Sequence, residues 1–169
     1  MATTRPTLQI STTQAETADT TDPTLIDLLN GLHHTCADGA YGFASCADYT
    51  NTSRHRTLFR KRAQQYDAAQ TQLHAMVLRL GGVPATDELT KKISHRGWVA
   101  AHGTLCGLRD QSIVAECERG ESGAYACYQQ ALQQDTPAGV RALIERQMQD
   151  IDASLQQIRM LREPERVAA

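Results

Sequence analysis

Three glutamates in the second half of the chain are the residues best suited to bind a metal ion. Glu116, Glu118 and Glu121 lie close together, and the last two are three residues apart, on neighbouring positions of a helix. A complete di-iron centre in a helical bundle needs a Glu from each of two helices and a Glu-x-x-His from each of the other two. No Glu-x-x-His occurs in this sequence. We therefore predict a solvated or salt-bridged face beside Arg119, with a weak Mg²⁺ or Ca²⁺ site as the alternative.

The cysteines form the second group with possible chemistry, because most of them belong to a repeated pattern. Cysteines ten residues apart on one helix are separated by about 15 Å, so a helix cannot present both thiolates to one ion. Cys36 and Cys127 could meet only across antiparallel helices. Small buried thiols are the simpler interpretation, and thiol-based redox sensing, which could also involve Cys106, is the alternative. The pattern Cys36, Gly39, Gly42, Cys46 recurs 81 positions later as Cys117, Gly120, Gly123, Cys127.

The repeated glycines favour a packing interpretation of the repeat. Glycine costs a helix about 1 kcal/mol relative to alanine, so paired glycines on one helical face need a reason. We expect them to allow close approach of helices near a pseudo-two-fold axis. Only the second copy of the repeat has a carboxylate at this position, because Ala40 occupies the place in the first copy that corresponds to Glu121.

Composition predicts an all-α protein of one domain and excludes several functional classes. Ala, Gln, Leu and Arg are abundant, and aromatic residues make up only 5% of the 169 residues. A net charge of -2 argues against a nucleic-acid binder, and no apolar run approaches the roughly 18 residues of a membrane span. Five cysteines without tight pairing argue against a disulfide framework. We therefore expect a cytoplasmic protein with reduced thiols, and no nucleic-acid or membrane partner.

Apolar residues at alternating spacings of three and four predict four long helices. Asp22-Pro23 gives the first helix a cap and a first residue, and Ser53 and Asp110 are expected to cap the second and third. Gly81-Gly82 predicts the end of the second helix. The predicted inward stripes include Cys36, Gly39 and Phe43 in the first helix, Arg62 and Tyr66 in the second, and Cys117, Gly120, Ala124 and Cys127 in the third. The predicted helices cover about residues 22–50, 53–80, 110–131 and 137–161.

The remaining segments predict a bundle with a long internal connection. Residues 1–21 read as a disordered tail, 22–163 as the bundle and 164–169 as a frayed end. Residues 83–109 show no sustained stripe and fit a crossover between two antiparallel hairpins, with a short helix near 92–106. Within it, His95-Arg96-Gly97-Trp98 is interpreted as an anchor of the crossover rather than a catalytic string.

Several of these segments together resemble a known family. The chain looks like the bacterial ferritin-like four-helix-bundle proteins of unknown function over about residues 24–163. The resemblance implies a ferritin-like fold and brings no known activity. It departs from the family at Ala40 and Tyr41, where acidic residues are usual. The matching segments are Asp38-Gly39, Gly42-Phe43, Leu58-Phe59, Arg62 to Gln65, Leu80 to Gly82, His95 to Trp98, Glu116 to Glu121, and Val140 to Gln147.

The sequence as a whole predicts a non-enzymatic bundle that acts through protein contacts. A homodimer is the simplest form of such a contact, and analogy with ferritin relatives suggests a stress-related role. No catalytic, cofactor-binding or metal-binding residue is assigned. The alternative is a metal-binding or vestigial di-metal bundle that uses Glu118 and Glu121.

Overall fold

A computed structural model describes residues 22–85 and 109–162, and within these ranges all regular structure is α-helical. Helix α1 packs against both α2 and α3, and α4 packs against α3. No helix in the described ranges is long and apolar enough to cross a membrane. The predicted tail 1–21, most of the crossover with His95 to Trp98 and Cys106, and the end 164–169 lie outside the described residues. The helices are α1 (Pro23–Tyr49), α2 (Ser53–Arg79), α3 (Asp110–Ala131) and α4 (Ala138–Arg162).

The predicted start of α1 and the predicted end of α2 are confirmed. The Asp22 carboxylate accepts the backbone N–H of Thr24 at 2.9 Å, which satisfies a donor that has no partner within the helix. At the other signal, Gly81 has a φ of 72°, a left-handed conformation that favours glycine. The N–H of Gly82 bonds to the carbonyl of Val77 at 3.0 Å, and that of Gly81 bonds to Leu78 at 3.0 Å. This pair of bonds is the Schellman ending of a helix.

The caps predicted for the second and third helices are wrong. Asp110 is the first residue of α3 and does not cap it, since Arg109 holds the cap position. Its carboxylate instead accepts the backbone N–H groups of Asn51 at 2.9 Å and Thr52 at 3.0 Å, and also the Thr52 hydroxyl. Thr52, not Ser53, is the cap residue of α2. Asp110 therefore joins the turn between α1 and α2 to the start of α3.

Those hydrogen bonds also determine the ionisation of Asp110. Burial by itself would raise the pKa of the carboxyl, but the bonds from Thr52 and Asn51 outweigh burial and lower the pKa below its ordinary value. The carboxylate is therefore held in its charged form, which is the better acceptor for these donors.

The stripe predicted for α1 is largely confirmed, and that of α3 is shifted by one residue. Cys117 and Ala124 are buried as expected, but Gly120 and Cys127 are exposed. Glu121 and Tyr128 occupy the inward positions instead, each with no exposed surface. The steps from Cys117 to Glu121 to Ala124 to Tyr128 follow the helical period, so the true stripe includes a charged residue.

The repeated glycines have different roles in the two copies. A Cβ atom added to Gly39 would lie 2.7 Å from ring atoms of Tyr66, so this glycine allows α1 and α2 to approach closely. A Cβ atom at Gly120 or Gly123 would meet nothing within 4 Å. The expected symmetric packing is therefore wrong for the second copy, because the one-residue shift of the buried stripe leaves its glycines on the outer face.

This difference gives a matched test with one substitution at two repeat positions. Gly39→Ala is expected to destabilise the fold by about 2 kcal/mol, because the Tyr66 ring leaves no room for a methyl group. Gly120→Ala is expected to stabilise it by about 0.5–1 kcal/mol, because an open helical site gains propensity without a clash. Urea unfolding followed by far-UV circular dichroism measures both changes. Effects of the same sign would contradict the assignment.

Candidate functional site

A buried carboxylate from α3 lies at the centre of the polar groups inside the protein. The Glu121 side chain has 0% exposure. Arg62 Nε donates to its Oε1 at 2.8 Å, and the Tyr66 hydroxyl donates to its Oε2 at 2.9 Å. Ser154 on α4 supplies a further hydrogen bond. We call the Arg62–Glu121 interaction the central ion pair; with its neighbours it connects α2, α3 and α4.

The guanidinium of Arg62 is held on several sides. Its Cζ atom lies 4.1 Å from the ring centroid of Tyr66, one helical turn further along α2. Its Nη1 donates to the side-chain oxygen of Gln65 at 3.3 Å. With only 4% of its surface exposed, Arg62 depends on these groups and on Glu121 to replace water.

The electrostatics of this cluster keep Tyr66 as a donor. Burial raises the pKa of the Tyr66 hydroxyl well above its ordinary value, and the negative charge of Glu121 raises it further. Burial also raises the pKa of the Glu121 carboxyl, against the opposing effects of Arg62, Ser154 and Tyr66. The Tyr66 hydroxyl stays neutral, and the positive charge of Arg62 balances the negative charge of Glu121. The cluster therefore carries no net charge, which suits a low-dielectric interior.

A second buried cluster connects α1, α3 and α4. The Tyr128 hydroxyl donates to the Gln147 side-chain oxygen at 2.8 Å and lies 3.1 Å from the sulfur of Cys36. Because a tyrosine has one hydroxyl proton, the thiol of Cys36 is then the donor to Tyr128. The Gln147 amide donates to the Ala69 carbonyl and the Gln72 side chain. Burial raises the pKa of Cys36 to about 11, so the thiol stays protonated.

The glutamates singled out in the sequence are not brought together. Glu118 lies at the surface, where Arg159 binds one carboxylate oxygen at 3.2 Å and Arg162 binds the other at 2.5 Å. Glu116 pairs with Arg119 in the same way. The salt-bridged face is thus confirmed for Glu116 and Glu118 and is wrong for Glu121. Within residues 22–85 and 109–162, no three His, Cys, Asp or Glu side chains are grouped to hold a metal ion.

The expected burial of the thiols is confirmed for Cys36, Cys46 and Cys117 and is wrong for Cys127. Cys127 is exposed and does not meet Cys36, because Tyr128 takes the inward position beside that thiol. Burial raises the pKa of the Cys117 thiol on α3, and the neighbouring Cys46 on α1 raises it further. Cys46 and Cys117 are both buried, and neither forms a disulfide.

The residue that sequence reasoning missed is the partner of Glu121. Arg62 and Tyr66 were both expected on the inward stripe of the second helix, and both are buried there. A charged residue such as Arg62 at an inward position requires a buried counter-charge. This requirement is the signal from which a buried acidic partner could have been predicted. The sequence does not say which of the acidic residues supplies it.

A comparison with known families matches the part of the chain that contains the central ion pair. Residues 24–134 match the family described as a domain of unknown function, DUF2383. The chain belongs to the DUF2383 family. The DUF2383 match includes Arg62, Tyr66 and Glu121 and ends after α3, so Gln147 and Ser154 of α4 lie beyond it. No curated protein matches the chain.

Two of the three glutamates of α3, Glu118 and Glu121, allow a direct test of the central ion pair. Glu121→Gln is expected to destabilise the fold by about 3–5 kcal/mol, because it leaves the Arg62 guanidinium buried without a counter-charge. Glu118→Gln removes a surface carboxylate three residues earlier and is expected to cost less than about 1 kcal/mol. Chemical unfolding of both variants measures the difference.

A second substitution separates the charge effect from lost packing. Arg62→Met added to Glu121→Gln is expected to recover part of the loss, because no unpaired charge is then buried. Equal costs for the two glutamate variants, or simple additivity in the double variant, would show that the ion pair does not have this role.

Proposed function

We propose that this chain is a non-enzymatic four-helix bundle of the ferritin-like type that acts through protein contacts. The observation that carries the proposal is the closed centre of the molecule. Both carboxylate oxygens of the fully buried Glu121 already accept hydrogen bonds from Arg62 and Tyr66. A reactive site needs an accessible functional group, and this carboxylate is buried with both of its oxygens hydrogen-bonded within the protein.

Contacts between helices support the ferritin-like arrangement. Cys36 in α1 contacts Tyr128 near the end of α3, and Asn51 just after α1 bonds to Asp110 at the start of α3, so a step forward on α1 is a step backward on α3. This pattern fits antiparallel helices. Along α2, Thr52 bonds to Asp110, and Arg62 bonds to Glu121, so both helices advance together. Consecutive parallel helices need a connection about as long as the bundle, as in ferritin-like wiring.

Charge compensation supports the absence of a di-metal role. In metal-binding bundles, cations neutralise carboxylates that point into the core. Here the guanidinium of Arg62 supplies the positive charge to Glu121, and Glu118 is bound at the surface by Arg159 and Arg162. The alternative in which Glu118 and Glu121 share a metal ion therefore gains no support from their positions.

The surface offers apolar side chains for contact with a partner. Leu78 near the end of α2 is 56% exposed, and Met160 near the end of α4 is 64% exposed. Met160 borders a surface groove of about 870 Å³ that also includes Leu58 and Leu161. We take a homodimer as the simplest contact, in the cytoplasm; the stress-related role belongs to the proposal by analogy of fold alone.

Light scattering of the full chain tests the dimer. The expected mass is roughly twice the 18.6 kDa of one chain. Met160→Glu is expected to reduce it to the monomer, because a charge replaces an apolar side chain beside the groove, whereas Leu78→Glu serves as the control at another exposed apolar position. A monomer at high protein concentration would rule out the dimer.

Elemental analysis tests the closed centre. Protein purified without an affinity tag or chelator is expected to hold less than about a tenth of an equivalent of Fe, Mn, Zn or Cu per chain. The reason is that both carboxylate oxygens of Glu121 already accept hydrogen bonds, from Arg62 and Tyr66. A full equivalent of metal that is lost in Glu121→Gln and kept in Glu118→Gln would replace this proposal with the metal-binding alternative.

A further inference from the structure

An open surface groove lies where the first turns of α2 pass the last turns of α4. Its volume is about 870 Å³, and Gln111 near the start of α3 also contributes to its lining. Leu58 on α2 and Met160 and Leu161 on α4 form its apolar part. Met160 is 64% exposed, so apolar surface faces solvent here. We call this surface the α2–α4 groove.

The charges that line the α2–α4 groove are basic. Arg54 and Lys61 line it, and no Asp or Glu belongs to its lining among the described residues. The ion pairs found within residues 22–85 and 109–162 involve neither of these two side chains. The first turn of α2 contains no acidic residue to offset them either. The groove therefore presents positive charge that the described part of the chain does not compensate.

The other basic residues of the same run are already engaged. Arg56 donates to the carbonyl of Thr50 at 2.8 Å, and Arg60 donates to the carboxylate of Asp48 at 3.3 Å. Arg62 belongs to the central ion pair. The basic residues that lie outside the groove thus have partners, and the two that line it are left available for a ligand.

The spacing of the lining residues describes the ligand that fits. Arg54, Leu58 and Lys61 follow the pattern i, i+4, i+7, so they share one face of α2. The two charges are separated by about 10.5 Å along the helix axis, with the leucine between them. A helix lying along this face would meet a charge, then apolar surface, then a second charge. Carboxylates seven residues apart with leucines between them match that order.

We propose that the α2–α4 groove is a docking site for an acidic amphipathic helix of a partner protein. The inference rests on the proposed function, because it names the chemistry of a partner for a protein that acts through contacts. Apolar side chains of the partner cover Met160 and Leu161, and its carboxylates pair with Arg54 and Lys61. Amphipathic helices bind in this way, with their apolar face in a groove of the receptor.

The same charges argue against a nucleic acid as the occupant. A phosphate backbone is bound by a continuous basic stripe that neutralises successive phosphates. Here Leu58 separates the two available cations, and the chain as a whole has a net charge of -2. An acidic helix with apolar anchors uses both the charges and the apolar surface between them.

Fluorescence anisotropy of a labelled peptide tests the proposal. The probe is a synthetic helical peptide of about 18 residues, long enough to form a helix, with two glutamates seven positions apart and leucines between them. We expect saturable binding to the full chain that weakens several-fold in about 0.5 M salt, because exposed charges are then screened. A second peptide with lysine in place of each glutamate is expected not to bind.

Neighbouring residues of α2 provide matched variants. Lys61→Gln and Arg60→Gln remove the same charge from adjacent exposed positions, and of the two only Lys61 lines the groove. Lys61→Gln is expected to weaken binding about threefold, and Arg54→Gln combined with it about tenfold, whereas Arg60→Gln is expected to change it by less than about twofold. Far-UV circular dichroism checks that each variant is folded.

Several outcomes would overturn the docking site. These are the absence of peptide binding, equal losses in Lys61→Gln and Arg60→Gln, equal binding of the lysine peptide, and displacement of the peptide by a single-stranded oligonucleotide. If the wild type binds no peptide and Lys61→Gln changes its mass in light scattering, a second copy occupies the groove instead. A monomer that binds the peptide through Lys61 contradicts the proposed dimer and leaves the docking site in place.

Discussion

The arrangement of the helices depends on the ion pair between Arg62 and Glu121. Removing two charges from water is costly, and attraction repays that cost only when the geometry is good and the other donors and acceptors are bonded. Both conditions hold here, since Tyr66 and Ser154 bond to the carboxylate, and the Tyr66 ring covers the guanidinium. A displacement of one helical turn, about 5.4 Å, would separate the charges in a medium that screens them poorly. The pair therefore selects one register of α2 against α3, which apolar side chains alone select less sharply.

The two buried polar clusters fix the relative positions of different helices. The central ion pair relates α2 to α3, and the Cys36–Tyr128–Gln147 cluster relates α1 and α3 to α4. Gln147 extends the second cluster to Ala69 and Gln72 on α2. The four helices of the described ranges are thus oriented by directional bonds between buried side chains. Such bonds specify one arrangement, because a half-satisfied network would leave polar groups buried without partners.

Local sequence signals predicted the positions of the helices well, but they did not predict the buried contacts between side chains that are distant in the sequence. Asp22-Pro23 and Gly81-Gly82 mark helix ends because cap and left-handed conformations involve only neighbouring residues. Glu121 was expected outside because a charge alone favours solvent, and its partner Arg62 is 59 positions away in the sequence. The one-residue difference between Gly120 and Glu121 decides which face is buried, and a repeat of small residues points to the wrong one. Asp110 shows the same limit. It was expected to cap its own helix, but its carboxylate accepts hydrogen bonds from the distant turn that precedes α2.

The contact of Asp110 with the Asn51–Thr52 turn has a consequence for how the chain can vary. It fixes the start of α3 by a side-chain bond to a distant turn, independently of the residues that lead into the helix. The length of a flexible connection affects its closure entropy only weakly, by about 0.6 kcal/mol for each doubling. Because the helix is positioned at its first residue, a change in the length of the preceding connection is expected to leave the register of the interior contacts unchanged.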